Sequence, residues 1–133
     1  AFSSMALACT PDGSEGFLPK NNLRIPVGSK TEGGLTEAQF RSSVKRVMDV
    51  YSPVISRLGA KLEVKLDWSN AEVNAFAMRE DNKWQVFFTG GLARHSAMTP
   101  DAFSLAACHE VGHHLGGAPK YTVRPIPWGS VEG

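Results

Sequence analysis

Cysteine is scarce in this sequence: Cys9 and Cys108 are the only two. That excludes a disulfide-dense mini-protein, which needs several bridges in place of a core. A single pair allows one internal bridge or two free thiols, and sequence does not choose between them. An excess of charge of one sign is missing too. Fourteen Lys and Arg stand against 13 Asp and Glu, a formal net charge of +1. This gives no electrostatic basis for binding nucleic acid or an anionic membrane. No apolar run approaches the roughly 20 residues of a membrane-spanning helix. Internal repeats and low-complexity tracts are absent. With 42% apolar residues, the chain is not a disordered tail either.

What is present suits one domain. The 133 residues include seven Phe, three Trp and two Tyr, enough to build a core. The chain starts at Ala1 rather than Met. Phe2 to Cys9 is mildly apolar, has no basic start and is short for a signal peptide. It is read as the remnant of an export segment, with Ala6-Leu7-Ala8-Cys9 faintly like a lipoprotein cleavage site. The expected location is extracytoplasmic, either periplasmic or secreted.

Residues 1–34 form a loop-rich N-terminal segment, dense in turn formers such as Pro11, Gly13, Gly16, Pro19, Gly28, Gly33 and Gly34. Within it, 23–27 alternates and reads as an edge strand, where Pro26 is tolerated. Thr36 and Gln39 make a capping-box pattern. Phe40, Val44, Val47, Met48, Tyr51, Val54, Ile55 and Leu58 then recur at spacings of three and four, which predicts an amphipathic helix. Pro53 is expected to kink or split it, and Gly59 to close it. Lys45, Arg46 and Arg57 fall on its solvated face. Strands are predicted at 62–68, 73–78 and 84–89, with a hairpin turn at 80–83. Gly90 and Gly91 are read as the start of a loop that holds Arg94 and a solvated His95. Thr99-Pro100-Asp101 opens a second helix with Phe103, Ala106, Ala107, Val111 and Leu115 on its buried face. Gly116-Gly117 and Pro119 stop it.

That helix contains His109-Glu110-Val111-Gly112-His113-His114, and within it H-E-x-x-H. Positions i and i+4 share a helix face, so His109 and His113 can bind one zinc ion together. Glu110, beside that face, can act as general base toward a zinc-activated water and carry its proton to the leaving amine. His114 points about 100° away and is read as structural or supporting. Cys108 is off the face as well. A catalytic zinc needs a third protein ligand. The H-E-x-x-H-x-x-G-x-x-H pattern of metzincin metallopeptidases is broken, because Pro119 stands where the third His belongs. From Leu115 to the end there is one acidic residue, Glu132, 19 positions after His113. Gluzincin metallopeptidases place their ligand Glu at about this distance on a following helix. Ser130 could cap such a helix, most of which would be missing beyond Gly133.

Taken in order, Asn74-Ala75-Phe76-Ala77, Val86 to Leu92 and His109 to His114 resemble the minimal gluzincins, including M48-like zinc metallopeptidases. The matching stretch is about 72–117. The resemblance implies that Asn74, Ala75 and Phe76 bind substrate, an extended peptide pairing with that strand. The physical basis is strand addition, in which main-chain hydrogen bonds give affinity and side-chain pockets give selectivity. The oxyanion-stabilising residue of the pattern has no identifiable counterpart; Tyr121 and Arg124 are within conceivable reach.

The expectation is therefore a single α+β, zincin-like catalytic domain over 1–133. A small mixed sheet packs on a backing helix and on the active-site H-E-x-x-H helix. Its activity is zinc-dependent hydrolysis of peptide bonds in a peptide or protein substrate, with His109, His113 and Glu132 as ligands and Glu110 as base. The alternatives are a zinc-binding or interaction domain without peptidase activity, latent or truncated, and a purely structural zinc site. No nucleic acid and no membrane span is expected. Oligomeric state is not legible.

Overall fold

The computed structural model describes residues 6–7, 16–30, 32–80 and 82–116. Its elements, in chain order, are β1 (Ala6–Leu7), α1 (Glu37–Arg57), β2 (Lys61–Asp67), β3 (Ala75–Glu80), β4 (Lys83–Thr89), α2 (Gly90–Arg94) and α3 (Pro100–Leu115). The protein is a mixed α+β fold. No helix among the described residues is long and apolar enough to cross a membrane.

The ends of α1 follow local chemistry. The Thr36 hydroxyl accepts from the Gln39 amide at 3.2 Å, and the Gln39 side chain accepts from the Thr36 amide at 3.0 Å. Two orphan donors are thereby satisfied. At the other end Gly59 takes φ +81°, its amide bonds Ser56 O, and the Ala60 amide bonds Ile55 O. This is a Schellman closure, which requires the left-handed conformation glycine adopts freely. Of the kink or split expected at Pro53, the split does not occur: α1 runs unbroken through it. Pro53 lies on the exposed face, as does Asp49, whose carbonyl loses its helical partner. Water can solvate that carbonyl, while the buried face holds the helix together.

β4 is the middle strand. It pairs in parallel with β2 and antiparallel with β3, and β1 extends the β3 edge, giving the order β1-β3-β4-β2. The tight β3–β4 connection is the expected hairpin. Register partners Ala75–Phe88 and Ala77–Val86 share one face and are all buried. Both long helices pack on the sheet and on each other. Phe103 of α3 joins the layers, with its ring 5.3 Å from Phe40 of α1 and 5.8 Å from Phe88 of β4. Each of these three side chains is almost entirely removed from water. Burial of such a ring contributes about 1.5–3 kcal/mol, plus an aromatic edge term.

Three local expectations need correction. The edge strand at 23–27 reduces to one antiparallel bridge, Arg24 to Glu72, with the Ile25 amide bonded to Ala71 O; Pro26 has no amide to extend it. Gly90-Gly91 do not begin a loop. They begin α2, because the Thr89 hydroxyl accepts from the Leu92 amide at 3.3 Å as an N-cap. Arg94 is not a loop residue but closes that helix, and it is buried. Its guanidinium donates to the carbonyls of Ile25, Trp68 and Asn70 and lies 4.6 Å over the Trp68 ring. Those carbonyls come from two segments, at 25 and at 68–70, both far from Arg94 in sequence, so no local signal marks them.

Candidate metal centre

α3 starts as the sequence predicts, with Thr99 accepting from the Ala102 amide at 3.1 Å and Pro100 at the first turn. Its buried face begins with Phe103, Ala106 and Ala107 and continues into Glu110, His113 and His114. The helix stops at Gly116, whose amide bonds Gly112 O at 2.7 Å.

His109 and His113 meet one turn apart. Their Nε2 atoms are 3.2 Å from each other, with the rings perpendicular. Two nitrogens bound at 2.0–2.1 Å to a tetrahedral zinc stand roughly 3.3 Å apart, so the observed pair fits such an ion. The ligand atoms of His109, Glu110 and His113 all lie within 4.8 Å of one another. Glu110 is fully buried, His113 nearly so, and His109 half-buried. The donor set is nitrogen and oxygen, suited to zinc and to other borderline divalent ions.

His114 stands apart from this group. Its Nε2 donates to the Gln85 carbonyl at 3.0 Å, and its ring stacks on Trp84 at 5.4 Å. A carbonyl only accepts, so this bond places the neutral ring's proton on Nε2. Burial, opposed by that hydrogen bond and helped by Arg79 and His113, pushes the His114 pKa down to about 4. The Arg79 guanidinium lies 3.9 Å from the same Trp84 ring and donates to the His114 carbonyl at 3.3 Å. Arg79 and Trp84 are opposite each other across β3 and β4. The end of α3 is therefore clamped to the β-hairpin by one histidine while its neighbours face the cluster.

Asn74, Ala75 and Phe76 lie at the start of β3, Asn74 just outside the strand. The Thr89 hydroxyl sits 2.7 Å from Asn74 O and 2.5 Å from Glu72 O, anchoring this corner. The Asn74 side chain binds the N-terminal segment: its Oδ1 accepts from the Leu18 amide at 2.9 Å and its Nδ2 donates to Leu18 O at 3.2 Å. The Phe17 amide bonds Ala75 O at 2.8 Å. The Phe17 ring meets His109 edge-on, centroids 5.2 Å apart. The strand edge and the histidine cluster are thus joined by one aromatic side chain. Sequence reading did not single out Phe17. Its only signal was an apolar pair, Phe17-Leu18, inside a turn-rich stretch.

Glu132, Tyr121, Arg124 and Cys9 lie outside the described residues. Among the described residues Cys108 is a free, half-buried thiol. His95 is half-buried, with its Nδ1 accepting from the Ala97 amide at 3.2 Å.

No protein-family model matches the chain, and neither a curated protein nor a solved structure matches it.

Proposed function

We propose that this chain is a zincin-like, gluzincin-type zinc metallopeptidase that hydrolyses internal peptide bonds. The single observation that carries the reading is the His109–His113 pair at 3.2 Å with the Glu110 carboxylate beside it. His109 and His113 would hold the metal, and Glu132 is the candidate third ligand on the strength of the gluzincin resemblance. A zinc ion there would lower the pKa of a water toward 7 and polarise the substrate carbonyl. Glu110 takes the proton of the attacking water on a carboxylate oxygen and delivers it to the departing amine nitrogen. Its burial excludes bulk water, which strengthens each charge interaction it makes. Asn74, Ala75 and Phe76 align the peptide by adding it to the sheet edge. His114 is a positioning residue, holding the end of α3 against β4.

Metal analysis and a quenched-peptide assay test this reading together. The expected result is about one zinc per chain, and a Glu110→Gln variant that keeps its zinc while cleavage falls about 10²–10⁴-fold. His109→Ala should lose both. Absence of zinc, or cleavage indifferent to Glu110, would sink the proposal. Bound zinc without cleavage would instead favour a zinc-binding or interaction domain in a latent state. One contact favours that second reading, the edge-on placement of Phe17 on His109.

A further inference from the structure

The outer edge of β3 already carries part of the chain. From Phe17 to Ile25 the N-terminal segment runs antiparallel to residues 75–71: Phe17 bonds Ala75, Leu18 bonds Asn74, Asn21 Nδ2 donates to Val73 O at 3.3 Å, Arg24 bridges Glu72 and Ile25 bonds Ala71. At its start the fit is close. A Cβ built on Gly16 would collide with the Ala75 carbonyl oxygen and come within 2.5 Å of Asn74 Oδ1 and 2.7 Å of the Phe76 ring. Phe17 then reaches His109, and Leu18 packs against the main core.

We infer that Gly16-Phe17-Leu18 is a built-in occupant of the peptide-binding edge, and that its pattern describes the ligand that replaces it. That ligand is an extended peptide with a small residue, an aromatic residue beside the metal cluster and an aliphatic residue after it. The inference rests on the peptidase reading for the identity of the site. The reasoning is geometric. Strand addition needs an edge with main-chain groups facing outward; the segment uses the Ala75 carbonyl for that purpose and, next to it, the Asn74 side chain, whose Oδ1 accepts from the Leu18 amide and whose Nδ2 donates to the Leu18 carbonyl. Only a residue without a side chain fits beside Ala75. The next side chain must extend toward His109, where a flat ring makes an edge contact. A competing peptide binds in proportion to the fraction of molecules whose edge is open.

The test uses the full chain and a fluorescein-labelled octapeptide, Ser-Glu-Gly-Phe-Leu-Pro-Lys-Asn, corresponding to residues 14–21. Its binding is followed by anisotropy. Phe17→Ala removes the ring, and Gly16→Val drives the segment from the strand by collision. Each variant should bind the peptide about tenfold or more tighter than the parent chain, because its own segment competes less. An octapeptide with Ala in place of Phe should lose that gain. Equal peptide affinity in parent and variants overturns the proposal, and so does equal binding of the Ala peptide. Unfolding of both variants by circular dichroism also overturns it, since the segment would then be a permanent strand of the fold. Binding is read without turnover. Absence of zinc or cleavage therefore defeats the peptidase while leaving the anisotropy result standing. Equal affinities defeat the internal occupant and leave the peptidase intact.

Discussion

α1 and α3 pack against each other and against one sheet, yet they use their buried faces differently. α1 buries Phe40, Val44, Val47, Met48 and Ile55 and keeps its charges in water. Its ion pairs, Glu37–Arg41 and Lys45–Asp49, are exposed and one turn apart. α3 buries Phe103, Ala106, Ala107 and Val111 in the same way, but adds polar side chains to that face toward its C-terminal end. Leu105 is 71% exposed while Glu110 is 0% exposed, and His113 and His114 are buried beside it. An exposed leucine is ordinary, whereas a fully buried carboxylate flanked by buried histidines is not. Packing alone accounts for α1. It does not account for a helix that gives one of its fully buried positions to a carboxylate, and such positions are where chemistry concentrates.

The contrast can be broken from either side. Removing the ring that joins the two helices to the sheet, Phe103→Ala, should cost about 3–5 kcal/mol through lost burial and a residual cavity. Urea titration followed by circular dichroism measures it, and a loss under about 1 kcal/mol would show that Phe103 does not join the layers. The next largest effect lies in the polar half of α3. Folded His114 titrates near 4 and an unfolded histidine near 6.5. Across that window the unfolded chain binds the proton that the folded chain refuses. Stability should therefore fall as pH drops from above 6.5 to 4, by an amount on the order of 3 kcal/mol from this group. His114→Asn should flatten the slope in that window. An unchanged slope would assign it to other groups.

Two smaller effects sharpen the α1 side. Thr36→Ala removes the acceptor of the capping box and should cost about 1 kcal/mol, readable as a shift in the urea midpoint. Lys45→Ala, breaking an exposed ion pair, should cost less than about 0.5 kcal/mol and vanish at high salt. A large, salt-independent effect there would show that α1 is not the simple amphipathic element described.

The two helices also differ in how far they were legible. The caps, the apolar stripe and the Schellman end of α1 depend on residues within a few positions of one another, so spacing reveals them. The continuity of α1 at Pro53 is instructive, because the proline occupies the exposed face and so does not split the helix. For α3, H-E-x-x-H marks the cluster since i and i+4 meet by helix geometry alone. What His114 contacts was not visible, as Gln85 and Trp84 reach it through the sheet register. Arg94 was misplaced for the same reason. Its three carbonyl partners converge only when the segment around Ile25, the end of β2 and α2 are folded together.

Elements with short-range causes can be read along the chain: two capped helices, a hairpin, alternating strands, and a histidine pair with a glutamate beside it. The tertiary structure alone decided the sheet order, the burial of Arg94 and His114, and the placement of Phe17 between Ala75 and His109. Those contacts join residues dozens of positions apart, so their partners follow from packing and register rather than from spacing along the chain.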